Sequence, residues 1–286
     1  MKGMISEALG TGFGIYEGQV DPDAAYAFGM ATNDPNPRYE DGRAVPPLVT
    51  SILVLDAEHE SEEWSRQRQL IAGATGSVHG EHDVFYWSPV KPGMPLRWQA
   101  APFGLEQRKS GVVAIQRILV TDLDGAPLVE HFWTSFYING SVEADFGSPA
   151  PDHVFPESSR GRPVGSRSVA VARDQAFRYA GVSGDRVGHA IDDEIARSEG
   201  YPGKILQGMC TFGLCSGAIV DIGCDGEVSR LRRLAGRFSA PAFPGKDLVV
   251  TAYDAGLTAD GHRTLAFEAV QDGVTVVKHG RAEFAG

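Results

Sequence analysis

The sequence runs through one plan twice. Turn-rich segments with an early aspartate, ATNDPNPRYEDG around Asp34 and VSGDRVGHAIDD around Asp185, lie 151 residues apart. Pro-Gly pairs follow in WSPVKPG and FSAPAFPG, where Pro92 and Pro244 are 152 apart. Near the end of each half, Asp-Gly turns at Asp124 and Asp272 precede V-x-H tripeptides ending at His131 and His279, and both pairs are 148 apart. Displacements this uniform imply an internal duplication, and half of a 286-residue chain is long enough to bury a core of its own. Between the copies, GSPAPDHVFPESSRGRPVGSRS is rich in Pro, Gly, Ser and Arg with few large aliphatics, the composition of a linker. The expected organisation is an N-terminal domain over 1–146, a linker over 147–168 and a C-terminal domain over 169–286.

Each half opens with helix signals and closes with strand signals. In the second half, residues 174–184 and DDEIARSEG predict short helices, and ILQGMCTFGLCSGAIVDIG predicts a longer one. That third helix is apolar on most faces and carries Gly208, Gly213 and Gly217. An all-round apolar helix is a buried one, and small residues along it let a sheet close over it. RLAGRFSAPAF, DLVVTAYDAG, RTLAFEAVQDG and VTVVKHGRAEF then alternate apolar and polar residues between D-G turns, as an antiparallel meander does. GEHDVFYWSPV, PLRWQAAPFGLEQ, GVVAIQRILVTDLDG and PLVEHFWTSFYI repeat this in the first half, whose helical stretch PPLVTSILVLDAEHESEEWSRQRQL mixes helix signals with β-branched residues. The expected fold class is α+β, a helix wrapped by an antiparallel sheet, twice.

A formal charge of −11 argues against nucleic acid or an anionic membrane as partner, because phosphate binding needs a basic surface. No stretch approaches the roughly 20 apolar residues of a membrane-spanning helix, and MKGMISEALGTGFGIYEG lacks an apolar signal core, so a cytoplasmic protein is expected. Cys210, Cys215 and Cys224 have neither C-x-x-C spacing nor nearby histidines and read as reduced, buried thiols. His79, His82 and His131 match no zinc pattern and read as surface or core histidines. Arg230, Arg232, Arg233 and Arg237 read as a solvated strand end, with phosphates of an acyl carrier as the functional alternative.

FRYAGVSGDRVGHAIDDEIARSEGYPGKILQGMCTFG resembles the signature of the MaoC-like (R)-specific enoyl-CoA hydratases, or hydratase-2 family. It keeps Ser183-Gly184-Asp185, Glu194, Ala196, Gly200-Tyr201, Ile205-Leu206 and Gly208-Met209, and the first half is similar to that of the family's two-hot-dog members. The resemblance implies a double hot-dog fold, two antiparallel sheets each wrapped around a central helix and fused as an internal pseudo-dimer. It implies reversible addition of water to a trans-2-enoyl thioester, carried by CoA or an acyl-carrier protein, to give an (R)-3-hydroxyacyl thioester. No metal or other cofactor is implied, and monomer and homodimer are both open. Asp185 and a histidine would handle the water, and the Gly208 N–H would stabilise the enolate-like oxygen. Gln207, Met209, Ser183 and Gly184 would surround the substrate.

The motif departs from the family at its centre. Val187, Gly188 and Ala190 stand where the family has Asn, Pro and the catalytic His, and the histidine sits one place early at His189. Either Gly188 lets the loop re-route so that His189 enters the site, or His189 is a satisfied histidine in a degenerate motif. The second case leaves a noncatalytic acyl-thioester-binding or partner subunit, or a dehydratase, isomerase or cyclase that uses Asp185 in the same groove. A thioesterase is disfavoured, because no carboxylate lies between Leu206 and Val220. Asp192 and Asp193 read as the start of a helix. Asp34-Pro35-Asn36-Pro37-Arg38-Tyr39 fits the family's D-x-N-P-x-H with Tyr39 for His; a catalytic N-terminal site is the alternative, and turn formation accounts for the segment adequately.

Overall fold

The computed structural model describes residues 14–53, 55 and 68–286, and its contacts divide the chain into two compact units. The extreme N-terminus and most of the mixed stretch after Leu53 lie outside the described residues, so the readings placed there have no structural counterpart. Of the described residues, one unit comprises 14–18, 53, 55, 68–88 and 95–152, and the other comprises 19–52, 89–94 and 153–286. By contact, the Asp34 segment therefore belongs with the second set of strands and not with the strands of its own repeat.

The first unit is an antiparallel sheet of β1 (Tyr16–Gln19), β2 (Gly76–Tyr86), β3 (Pro95–Arg108), β4 (Gly111–Thr121) and β5 (Pro127–Ile138), in the order β1-β3-β4-β5-β2, with β6 (Phe146–Gly147) beside β3. Period-two patterning holds it in register: Leu96, Trp98 and Ala100 of β3 are buried while the residues between them are partly exposed. The Asp124-Gly125 turn between β4 and β5 places Gly125 at φ +86°, as the D-G pair predicts.

In the second unit, α1 (Pro22–Ala31) starts at a side-chain cap, with Asp21 Oδ1 accepting from the Ala24 N–H at 2.9 Å and proline in the first turn. One-turn α2 (Pro37–Glu40) repeats the device with Asn36 and Pro37. Residues read as linker include a strand, β7 (Pro163–Val169), which pairs with β9. Helices α3 (Gln175–Ser183), α4 (Gly188–Ile191), α5 (Asp193–Ser198) and α6 (Gly208–Cys224) precede β8 (Leu231–Phe238), β9 (Leu248–Leu257), β10 (Arg263–Gln271) and β11 (Val274–Phe284). The sheet order is β8-β11-β10-β9-β7.

Helix α6 is the core of this unit, with 13 of its 17 residues buried. It begins three residues later than the apolar run predicts. Ile205 and Leu206 are tied outward, their N–H groups donating to the carbonyls of His189 and Ala242 at 3.1 and 2.8 Å. The glycines of α6 serve close approach on two sides. The glycine that lets the sheet close is Gly223, not named in the sequence expectation: a Cβ there would stand 2.3 Å from the Phe284 ring of β11. Cβ atoms at Gly213 and Gly217 would instead stand 2.5 Å from Thr32 and 2.8 Å from Asp34, so this glycine face receives the Asp34 segment. All three cysteines are free and buried. Among the described residues no helix is long and apolar enough to cross a membrane.

Candidate active site

The Asp185 loop is built by its neighbours. Helix α3 ends at Gly184, whose left-handed backbone (φ +75°) turns the chain sharply. Ser183 Oγ donates to the Tyr179 carbonyl at 2.8 Å and accepts from the Asp185 N–H at 3.2 Å. Asp185 Oδ1 accepts from the Val187 N–H at 3.3 Å. Ser183 and Gly184 thus shape the loop that presents Asp185. The Asp185 carboxylate is close enough to add to the upward shift that burial imposes on the Tyr179 hydroxyl and the Cys210 thiol.

Gln207 joins this loop to α6. It is 1% exposed, and its Nε2 donates to the carbonyls of Asp185 at 3.0 Å and Ala176 at 3.1 Å. Its Oε1 is buried with no protein hydrogen-bond partner, an acceptor that a bound hydroxyl or water would satisfy. Gln207 occupies the N-cap position of α6 without capping it through its side chain, so Gly208, the first helical residue, presents its N–H at the positive end of a 17-residue helix. Met209 and Cys210 are buried just behind it.

His189 is turned to other partners. Its Nδ1 lies 2.8 Å from Glu199 Oε2, its ring meets Tyr201 edge-on at 5.7 Å, and one-turn α4 carries it beside fully buried Ala190. With Nδ1 donating to the carboxylate, Nε2 of the neutral ring is the acceptor. Sequence reasoning missed Glu199, since a carboxylate ten residues after a histidine fits no local spacing rule. Asp192 caps α5 through Oδ1, accepting from Glu194 and Ile195 N–H groups, whereas Asp193 pairs with Lys204.

The first repeat arranges the corresponding segment differently. Asn36 Oδ1 accepts from the Arg38 N–H at 3.1 Å, and the Tyr39 hydroxyl donates to Asp34 Oδ2 at 2.7 Å. Burial raises the Asp34 carboxyl above the usual range, and the Tyr39 bond partly offsets it. His82 and His131 are fully buried with ring nitrogens 3.0 Å apart, and His79 stacks on Trp133. These are core histidines, and among the described residues no three His, Cys, Asp or Glu side chains are grouped to hold a metal ion. Arg233 is buried against Glu283 at 3.5 Å, so this part of the arginine cluster lies inside the unit and not at a solvated strand end.

Known proteins resemble this chain in sequence and in fold. The family described as MaoC like domain matches residues 156–278. A probable enoyl-CoA hydratase 2 of Dictyostelium discoideum is 28% identical over 50% of this chain and 48% of its own length. Enoyl-CoA hydratase ChsH3 of Mycobacterium tuberculosis is 29% identical over 66% of this chain and 63% of its own length. The chain thus spans about half to two thirds of these relatives. A solved MaoC-like dehydratase from Phytophthora capsici superposes with a TM-score of 0.84 over 98% of both chains at 20% identity. A Mycobacterium tuberculosis protein described as having a double hotdog fold superposes at 0.57 over 96% of this chain and 95% of its own, at 12% identity. The fold is the double hot dog, and residues 156–278, which hold Asp185, His189, Gln207 and Gly208, match the family described as MaoC like domain.

Proposed function

We propose that this chain is a hydro-lyase that hydrates trans-2-enoyl thioesters and, in reverse, dehydrates (R)-3-hydroxyacyl thioesters, with acyl-CoA or an acyl-carrier-protein thioester as substrate. The observation that carries the reading is Gln207, which holds the Asp185 loop at the open start of α6 and keeps a buried acceptor unfilled beside it. Hydration requires a base for water, an acid for the α-carbon and a donor for the thioester oxygen. Asp185 supplies the acid-base group, the Gly208 N–H faces the oxygen, and Gln207 Oε1 accepts from the water or product hydroxyl. His189, its tautomer set by Glu199, offers Nε2 as the second proton acceptor. Met209 closes the wall behind Gly208, and Ser183 and Gly184 hold the loop.

The test is hydration of a chain-length panel of trans-2-enoyl-CoAs by wild type, Asp185→Asn and His189→Ala, with the configuration at C3 of the product determined. Formation of the (R)-alcohol, lost in Asp185→Asn, supports the reading, and loss in His189→Ala places that histidine in it. A second reading, a noncatalytic acyl-thioester-binding subunit, is favoured by the Glu199 contact of His189 and by buried Ala190 at the family's histidine position. Acyl-CoA binding without turnover in wild type would select it.

A further inference from the structure

The second unit contains a cavity of about 850 Å³ whose lining does not include Asp185, His189, Gln207 or Gly208. Its walls come from the turn over 33–38, residues 167–172 around the end of β7, Arg178 of α3, and the C-terminal half of α6 with the Asp225-Gly226 turn after it. This volume lies in the range of pockets that enclose a small organic ligand, roughly 300–1,000 Å³. The chemistry of the walls divides in two. Leu214, Ala218 and Val220 of α6, with Val171 opposite, make an apolar, buried lining. Arg38, Arg167 and Arg178, with side chains 28, 51 and 39% exposed, put three guanidinium groups at the rim. Asp34 and Asn36, each 9% exposed, supply hydrogen-bonding groups inside.

The cavity is built by sequence. Glycine at 217 leaves room on α6 for Asp34, since a Cβ there would stand 2.8 Å from its carboxyl carbon. Tyr39 fixes that carboxyl from behind. The Asn36 Nδ2 donates to the Gly226 carbonyl at 2.7 Å, and Asn33 Nδ2 donates to the Ala170 carbonyl at 2.6 Å, tying the turn to both facing walls. A turn that existed only to reverse the chain would not need these three anchors around an open volume.

We propose that this cavity is a second small-molecule site, which takes an acyl chain bearing an anionic headgroup: chain along α6, headgroup at the arginine rim. The anion exchanges into guanidiniums whose present partners, Glu227, Asp221 and Asp174, are all partly exposed and therefore weakly held. A fatty carboxylate and a phosphorylated acyl carrier share this chemistry.

Titration calorimetry of the full chain with dodecanoate, dodecyl phosphate and decanoyl-CoA tests the site in wild type, Ala170→Trp and Arg167→Ala, with thermal melts confirming that each variant folds. Ala170 is an exposed lining residue whose enlargement fills the cavity without entering the core. The expected result is saturable binding of at least one probe, weakened about tenfold or more by Ala170→Trp, severalfold by Arg167→Ala and further by salt. Binding of dodecanoate alone identifies a carboxylate ligand, and binding of the phosphate-bearing probes alone identifies a phosphate. No saturable binding, or equal affinity in all three proteins, overturns the proposal. Enoyl-CoA hydration unchanged in Ala170→Trp is expected, and its loss together with binding would overturn the independence of this site. If wild type hydrates nothing while the Ala170-sensitive binding persists, the Asp185 reading fails and this site stands.

Discussion

The two aspartate segments, one from each repeat, have been loaded with different groups on the same plan. Around Asp34, Asn36 and Pro37 start a one-turn helix that delivers Tyr39 to the carboxylate at 2.7 Å. Around Asp185, Val187 and Gly188 replace that pair, the one-turn helix starts at Gly188, and the side chain it delivers, His189, reaches Glu199. The first carboxyl is buried and held by a neutral hydroxyl, and the second sits half-buried on a loop tied by Gln207 to a helix start. A hydroxyl with an ordinary pKa near 10 is a poor proton acceptor at neutral pH, whereas an imidazole is a good one. The proposed function accordingly places binding at the first segment and proton transfer at the second.

The strongest way to break this assignment is to exchange the carboxylates. Asp185→Asn is expected to lower kcat for enoyl-CoA hydration by roughly 10²–10⁴-fold, while Asp34→Asn leaves it within a few-fold. His189→Ala is expected to cost about 10²-fold in kcat, and Glu199→Gln less, because the imidazole then loses the carboxylate that orients it.

Histidines sharpen the comparison through pH. Burial pushes His79 and His131 of the first unit down to about 3 from an ordinary 6.5, and pushes His82 well down too, helped by its two neighbours. A group whose folded pKa is depressed binds more protons when unfolded between those two values. Stability is then fully present above pH 6.5 and falls as the pH drops toward 3, at up to about 1.4 kcal/mol per pH unit for each histidine. Urea midpoints followed by Trp fluorescence from pH 7 to pH 4 should decline, and His131→Gln should flatten that decline.

Much of the fold was legible because its signals are periodic. Strand alternation placed β2 to β5 and β8 to β11, and D-G pairs marked two of their turns. The helix α3 was bounded by Asp174 and Gly184, a polar start and a glycine stop. The α6 start was misplaced because Ile205 and Leu206 are as apolar as a helix needs, and only contacts remote in sequence draw them outward. Strand β7 was hidden because its Pro, Gly, Ser and Arg residues look like linker, and edge strands tolerate such residues. At the site, Asp185, Gln207 and Gly208 follow from the family motif, but Glu199 and the unfilled Gln207 acceptor are visible only in three dimensions. The glycines of α6 carried a second message, the approach of Asp34 and Thr32, that spacing alone could not assign to a partner.

Smaller effects separate the anchors. Tyr39→Phe removes the hydroxyl that satisfies buried Asp34 and should cost about 1–3 kcal/mol in a denaturant titration without changing turnover. Asn36→Ala, which removes the cap of α2 and its bond to Gly226, should cost about 0.5–2 kcal/mol.

The most direct test of the central claim is the rate of trans-2-enoyl-CoA hydration by wild type, Asp185→Asn and Asp34→Asn, measured side by side on folded protein with the C3 configuration of the product determined. Wild-type and Asp34→Asn activity giving the (R)-alcohol, with Asp185→Asn inactive, is the predicted result. Activity that survives in Asp185→Asn and disappears in Asp34→Asn would place the chemistry in the first segment and contradict the account.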